Sequence, residues 1–264
     1  MIKMIICDLD GTLLTEKNEI SIKDKQAVNM ALQQGIDFCL ASGRKDIDIK
    51  AVANMLGSKF HRISQNGGFI YTVEEKQLHE TTFPPEVAIE LYERIKKENL
   101  ITFLSTIDKE YVEERTEHII KIEERLFSPV LEEKNLLNKI GKTIFPSKLI
   151  LNGTEEQICK LHKELTEQYP NVMDAYISES KILDIVPKNI SKGNAILILL
   201  DHLDINQEEI ACIGDSFNDI PMFQLTEHSF AMATAHQDVK KAATHVVETV
   251  ADAIYELIGV KTDQ

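Results

Sequence analysis

The segment IICDLDGTLL, Ile5 to Leu14, opens as an apolar strand and then sets two carboxylates, Asp8 and Asp10, two residues apart before Gly11. Acids at the end of an apolar strand are costly unless something neutralises them. Residues two apart in an extended chain point the same way, so both carboxylates can face one site. Two close carboxylates repel and call for a shared proton or a cation. Oxygen ligands suit a hard cation such as Mg²⁺. Gly11 allows a sharp turn that frees amides for an anion. In such a pair, one carboxylate suits nucleophilic attack on phosphorus and the other suits proton transfer. Taken alone, DLDG also reads as a strand-to-turn ending with solvated acids.

Working outward, the first third alternates in character. SIKDKQAVNMALQQG predicts a helix with Ser21 as N-cap, Asp24 in the first turn and Gly35 as its stop. IDFCLA is an apolar strand, RKDIDIKAVANMLG a helix closed by Gly57, RIS a strand, and FIYT to QLHETT a hairpin. The last third keeps the rhythm, with helices at SKGNAILILLDHL, NDIPMFQLT, QDVKKAA and ADAIYELIG and strands at EIACIG, SFAMA and THVVE. Continuous apolar strands alternating with helices predict an α/β fold, a Rossmann-like doubly wound parallel sheet covered on both faces.

The middle differs. Pro84 and Pro85 precede a helix in which Val87, Leu91 and Ile95 recur at helical spacing. Strand ITFLST follows, then a Glu-rich stretch from Tyr111 to Ile140 that predicts helix. Strand KLILNG, a helix from Thr154 and strands MDAYIS and ILDIV complete it. The pattern predicts an α+β domain at 84–184, inserted in a discontinuous core of 1–83 and 185–264. Glu113, Glu114, Glu117, Glu123, Glu124, Glu132 and Glu133 read as a solvated face.

Composition narrows the function classes. The net charge of −14, with no basic stripe, argues against nucleic acid as a partner. The longest clean apolar run, AILILL at Ala195 to Leu200, is far short of a membrane span. Asp8 and Asp10 interrupt the apolar N-terminus too early for a signal peptide. Cys7, Cys39, Cys159 and Cys212 form no CxxC pair. Three of them sit in strand-like runs as small buried hydrophobes, which suits a reducing, cytoplasmic setting.

Three further stretches carry chemistry. LASGR ends the second strand, where the Ser42 hydroxyl and the Ser42 and Gly43 amides can cradle a phosphate; Ser42 also suits a plain helix cap. NISKGNA puts Lys192 at a helix N-terminus, where a cation opposes the macrodipole. Either it points at an anion or it is a solvated lysine. CIGDSFNDIPMF repeats the opening logic, with Asp215 at a strand end. Asp215 suits a metal site with Asp8 and the Asp10 carbonyl. Asp219 suits a further ligand or an orienting group behind the ligands, and Asn218 a helix cap or a phosphate contact.

Together DLDGTLL, SGR, SKG and GDSFND resemble, in order, the four motifs of the haloacid dehalogenase superfamily, and NGG at Asn66 to Gly68 resembles its Cof-type branch. The likeness covers nearly the whole chain. Between Asp10 and Ser42 there is no room for a domain; between Ser42 and Lys192 there is, which matches the larger α/β cap called C2B. The resemblance implies a Mg²⁺-dependent phosphatase of small phosphorylated metabolites. It implies Asp8 as the nucleophile forming an aspartyl-phosphate and Asp10 as the acid and base. Leu9, Ser42, Gly43, Lys192 and Asn218 are implied to contact phosphate, and Asp8, Asp10 (through its carbonyl) and Asp215 to hold Mg²⁺. A hexose-phosphate mutase or other phosphotransferase of the same fold, and a non-catalytic regulatory protein that binds phosphometabolites, are the alternatives. The chain departs from the family wording at Asn189, where glycine is usual, at Thr234, where Asn is common, and in lacking Asp-Gly before its last helix.

Overall fold

A computed structural model describes residues 1–123 and 127–260. The chain begins β1 (Met4–Cys7), α1 (Ile22–Gln33), β2 (Asp37–Ala41), α2 (Asp46–Leu56), β3 (His61–Ser64), β4 (Phe69–Tyr71) and β5 (Gln77–Glu80). The middle runs α3 (Pro85–Ile95), β6 (Ile101–Ser105), β7 (Glu110–Val112), α4 (Glu117–Glu123), β8 (Val130–Glu132), α5 (Leu136–Lys139), β9 (Lys148–Asn152), α6 (Glu155–Gln168), β10 (Met173–Glu179) and β11 (Ile182–Pro187). It ends α7 (Lys192–Leu203), β12 (Ile210–Gly214), α8 (Ile220–Phe223), β13 (Ser229–Met232), α9 (Gln237–Ala242), β14 (His245–Val247) and α10 (Val250–Ile258).

Two compact units result, one of residues 1–43, 49–79 and 191–264, the other of residues 44–48 and 80–190. The sequence pattern placed its insert at 84–184. β11, which belongs to the second unit's sheet, continues past Asp184 to Pro187.

The first unit holds an eight-stranded sheet in the order β14-β13-β12-β1-β2-β3-β4-β5. Its six strands from β14 to β3 are parallel, as the α/β pattern predicts, and β4 turns back antiparallel to β3. Alternate strand residues go to opposite faces. Ile5, Cys7, Phe38, Leu40 and Ile213 pack with α1, α2 and α10 on one side. Met4, Ile6, Cys39, Ala41 and Cys212 pack with α7, α8 and α9 on the other. Burial on both faces is why these strands read as unbroken apolar runs. Ser21 caps α1 by accepting from the Asp24 amide, and Gly35 and Gly57 follow their helices with φ of +79° and +74°.

The second unit has a six-stranded sheet, β10-β11-β9-β6-β7-β8, antiparallel except for the parallel β7–β8 pair. Leu104, Leu149, Leu151, Leu183 and Ile185 pack one face against α3, α5 and α6. Among the intervening residues, Ser105, Glu110, Lys148 and Asp184 are buried polar groups. Lys148 lies 3.4 Å from Asp184, Ser105 donates to Glu110, and Lys45 lies 3.5 Å from Glu110.

The helix expected over 111–140 is a correction. Among its described residues the stretch holds two strands and two short helices instead, and Glu124 lies outside the described residues. Glutamate favours helix locally, but Val112 and Val130 pack with Phe103 and Ile119 in a small core of their own, and that packing overrides propensity. Asn189 explains its departure from the family wording. Its φ is +66°, a left-handed conformation that asparagine tolerates better than most residues other than glycine.

α7 packs tightly on α8, and a Cβ added at Gly193 would come within 2.5 Å of the Pro221 carbonyl oxygen. Backbone cannot yield as a side-chain tip does. Gly193→Ala should therefore cost about 1–3 kcal/mol and lower the thermal midpoint by several degrees. An unchanged melting curve would contradict this packing.

Candidate active site

The candidate groups lie where strand order reverses around β1. In open α/β sheets, ligands bind at such a crevice beyond the carboxyl ends of the strands. Asp8 follows β1 and Asp215 follows β12, its parallel neighbour, with Cys7 in register with Ile213. The Asp8 amide donates to the Ile213 carbonyl at 2.9 Å, which extends the ladder by one residue. Carboxylate oxygens of Asp8, Asp215 and Asp219 thus come within 4.8 Å of one another.

Lys192, the first residue of α7, answers the question its position raised. Its side chain is fully buried, and its ammonium donates to Asp8 at 2.5 Å and to Asp219 at 2.6 Å. It points at anions rather than at solvent. Burial pulls its pKa down, but Asp219 and Asp8 outweigh burial and hold it above the ordinary lysine value. Burial, with Asp219, Asp215 and Asp10 nearby, pushes Asp8 well up despite Lys192. Burial and Asp219 push Asp215 up to about 6, although the Thr12 hydroxyl donates to it at 2.9 Å.

Asp219 is bound on both oxygens. One accepts from Lys192; the other accepts the amides of Asp215 and Ser216, each at 2.9 Å. It shapes the loop that carries Asp215. Gly11 (φ +79°) runs so close to Asp215 that a Cβ there would meet the carboxylate. Gly214 stands in the same relation to Asp219, with its added Cβ 2.5 Å from the carboxyl carbon.

Asp10 is exposed, and its carboxylate is not one of the three gathered around Lys192. Leu9 is buried, and its carbonyl closes the turn by accepting from the Thr12 and Leu14 amides. Ser42 is buried at the end of β2, its amide bonded to the Ile63 carbonyl, with Gly43 next in the chain. Asn218 is buried, and its Nδ2 donates to Asn66 Oδ1 at 3.0 Å. Two contributors lay outside the motif logic. Thr12 supports Asp215 from within DLDGTLL, and Asn66 supports Asn218 from within NGG. Nothing in residue type or spacing pairs either with its distant partner.

Three close carboxylates against one ammonium leave excess negative charge, and all their donors are hard oxygens. The set fits a divalent cation.

The family described as haloacid dehalogenase-like hydrolase matches residues 5–258. Among curated relatives, Phosphatase YwpJ of Bacillus subtilis is 27% identical over 270 residues, covering 94% of this chain and 95% of its own length. The crystal structure of TM0651 from Thermotoga maritima is 32% identical, with a TM-score of 0.83 over 100% of this chain and 99% of that one. The structure of BT4131, titled a subclass IIB sugar phosphatase, covers 98% of this chain and 100% of that one at a TM-score of 0.82. At 21% identity that is a likeness of fold. No helix among the described residues is long and apolar enough to cross a membrane.

The raised Asp215 has a consequence for stability. Its pKa of about 6 stands above the ordinary 3.8, so the folded chain keeps a proton that the unfolded chain has released. Its contribution is full below about pH 4 and is lost as pH rises through 6. In chelator-treated protein, Asp215→Asn should match the parent near pH 3 and exceed it by about 1–3 kcal/mol at pH 8. Thermal melts across that range check this; a difference that does not grow with pH would refute it.

Proposed function

The chain belongs to the haloacid dehalogenase-like hydrolases and is a phosphatase, and from that premise we propose that it hydrolyses phosphomonoesters of small metabolites through an aspartyl-phosphate on Asp8, with Mg²⁺. The observation that carries this is the buried Lys192 ammonium held between Asp8 and Asp219 beside Asp215. A lysine so placed holds the Asp8 carboxylate in one orientation and offers positive charge where a transferring phosphoryl group accumulates negative charge.

In the first step, an Asp8 carboxylate oxygen bonds to phosphorus as the bond from phosphorus to the ester oxygen breaks. That oxygen leaves with a proton from the Asp10 carboxyl. In the second step, water attacks phosphorus, Asp10 takes its proton, and the Asp8–phosphorus linkage breaks to release phosphate. Asp10 suits this exchange because its carboxylate is exposed and outside the Lys192 cluster. Asp8, Asp215 and the Asp10 carbonyl would hold the Mg²⁺, with Asp219 behind them fixing Lys192 and the Asp215 loop. When bound, the ion supplies charge neutralisation for the phosphoryl oxygens. Ser42, the amides of Leu9 and Gly43, and Asn218 are assigned to the remaining phosphoryl oxygens.

Selectivity among esters is assigned to the second unit, whose strands bury the polar groups Ser105, Glu110, Lys148 and Asp184. Such groups suit hydroxylated leaving groups such as sugars.

Phosphate release from a panel of metabolite esters, with and without Mg²⁺, tests the proposal. Asp8→Asn should abolish release, and Lys192→Met should lower kcat by about two to three orders of magnitude. Equal release by Asp8→Asn and the parent would refute the mechanism. Isomer formation without free phosphate would favour a phosphotransferase.

Chelation should stop release, and added Mg²⁺ should restore it. Activity that survives full chelation would overturn the metal assignment.

A further inference from the structure

The turn Gln65–Gly67 links three parts of the site. Gln65 and Asn66 have left-handed φ values of +50° and +61°, and Gly67 follows at +114°. Both side-chain-bearing residues are fully buried. Two successive non-glycine residues in this region are strained and persist only where the surroundings hold them.

The contacts show what holds them. The Asn66 amide donates to the Ser42 carbonyl at 3.0 Å. Asn66 Oδ1 accepts from Asn218 Nδ2 at 3.0 Å. Gly67 lies against Ser191, where an added Cβ would stand 2.5 Å from the carbonyl oxygen. Ser191 caps the helix that begins at Lys192. Strain at a turn that ties both candidate phosphate loops to the lysine's helix fits alignment better than packing.

The hydrogen-bond inventory of Asn218 sharpens this. Its Nδ2 carries two hydrogens. Asn66 takes one, which fixes the plane of the amide and leaves the other for a phosphoryl oxygen. Asn218 Oδ1 meets no partner among the described residues, so the bond to Asn66 is what orients the group.

We propose that Asn66 is a positioning residue, orienting the Asn218 amide through its side chain and the Ser42 loop through its backbone for binding the phosphoryl group. This rests on the assignment of a phosphoryl group to the site.

The test is a double-mutant cycle with inorganic phosphate, titrated calorimetrically into Mg²⁺-supplemented full-length protein. Asn66→Gly removes the acceptor and suits the left-handed backbone. Asn66→Gly and Asn218→Ala should each weaken phosphate binding about tenfold, and the double variant should bind no worse than Asn218→Ala alone. Additive losses, or parental affinity in Asn66→Gly, would overturn the proposal. Asn66→Ala loses the same acceptor but strains the backbone, so it should bind as Asn66→Gly does while melting lower. Affinity that tracks melting temperature would also overturn it. A parent that shows the expected cycle yet releases no phosphate from any ester supports positioning and refutes hydrolysis. A parent that binds no phosphate overturns both.

Discussion

A lysine ammonium can be withdrawn wholly from water only where carboxylates replace its hydration, and Lys192 is held by two, at 2.5 and 2.6 Å. The rest of the site follows from that pairing. Asp8 follows β1, Asp219 lies in the loop after β12, and Lys192 starts α7. Each must therefore stay where the others need it. Leaving any one of the three unpaired in this interior would cost about 3–5 kcal/mol, a large share of the stability of an ordinary domain. Stability and alignment of the reacting groups are thus the same constraint.

The parallel sheet makes that constraint achievable. Neighbouring parallel strands end on one side, so residues just past their ends meet without a long loop. Asp8 and Asp215 meet this way, and the bond from the Asp8 amide to Ile213 pins one end against the other. The glycines beside them are there for room. At Gly11 and Gly214 any side chain would strike the carboxylates of Asp215 and Asp219. These close approaches explain the glycine in DLDG and the one in GDSFND.

The core was legible because two-sided burial writes itself into sequence as unbroken apolar strands, and because acids at their ends contradict that burial loudly. Lys192 stood out for a similar reason, as a cation at the wrong end of a helix. The Tyr111–Ile140 stretch was not legible. Its strands are three residues each, shorter than a periodic signal needs, and their pairing depends on Phe103 and Ile119 from other elements. Thr12 and Asn66 were hidden differently. Each acts on a partner more than 150 residues away, and hydroxyls and amides at turns are common enough to need no special cause.

Net charge and site charge also part company here. At −14 the chain repels a phosphate ester at long range, yet physiological salt screens such fields within about 8 Å. Within that radius the balance is local. Asp8, Asp215 and Asp219 outweigh Lys192, so the site by itself disfavours an anion. A divalent cation reverses that sign, while the screened surface contributes little. On the proposed mechanism, cation and ester therefore favour each other's binding. The linkage is reciprocal, because each supplies the charge that the other's presence requires.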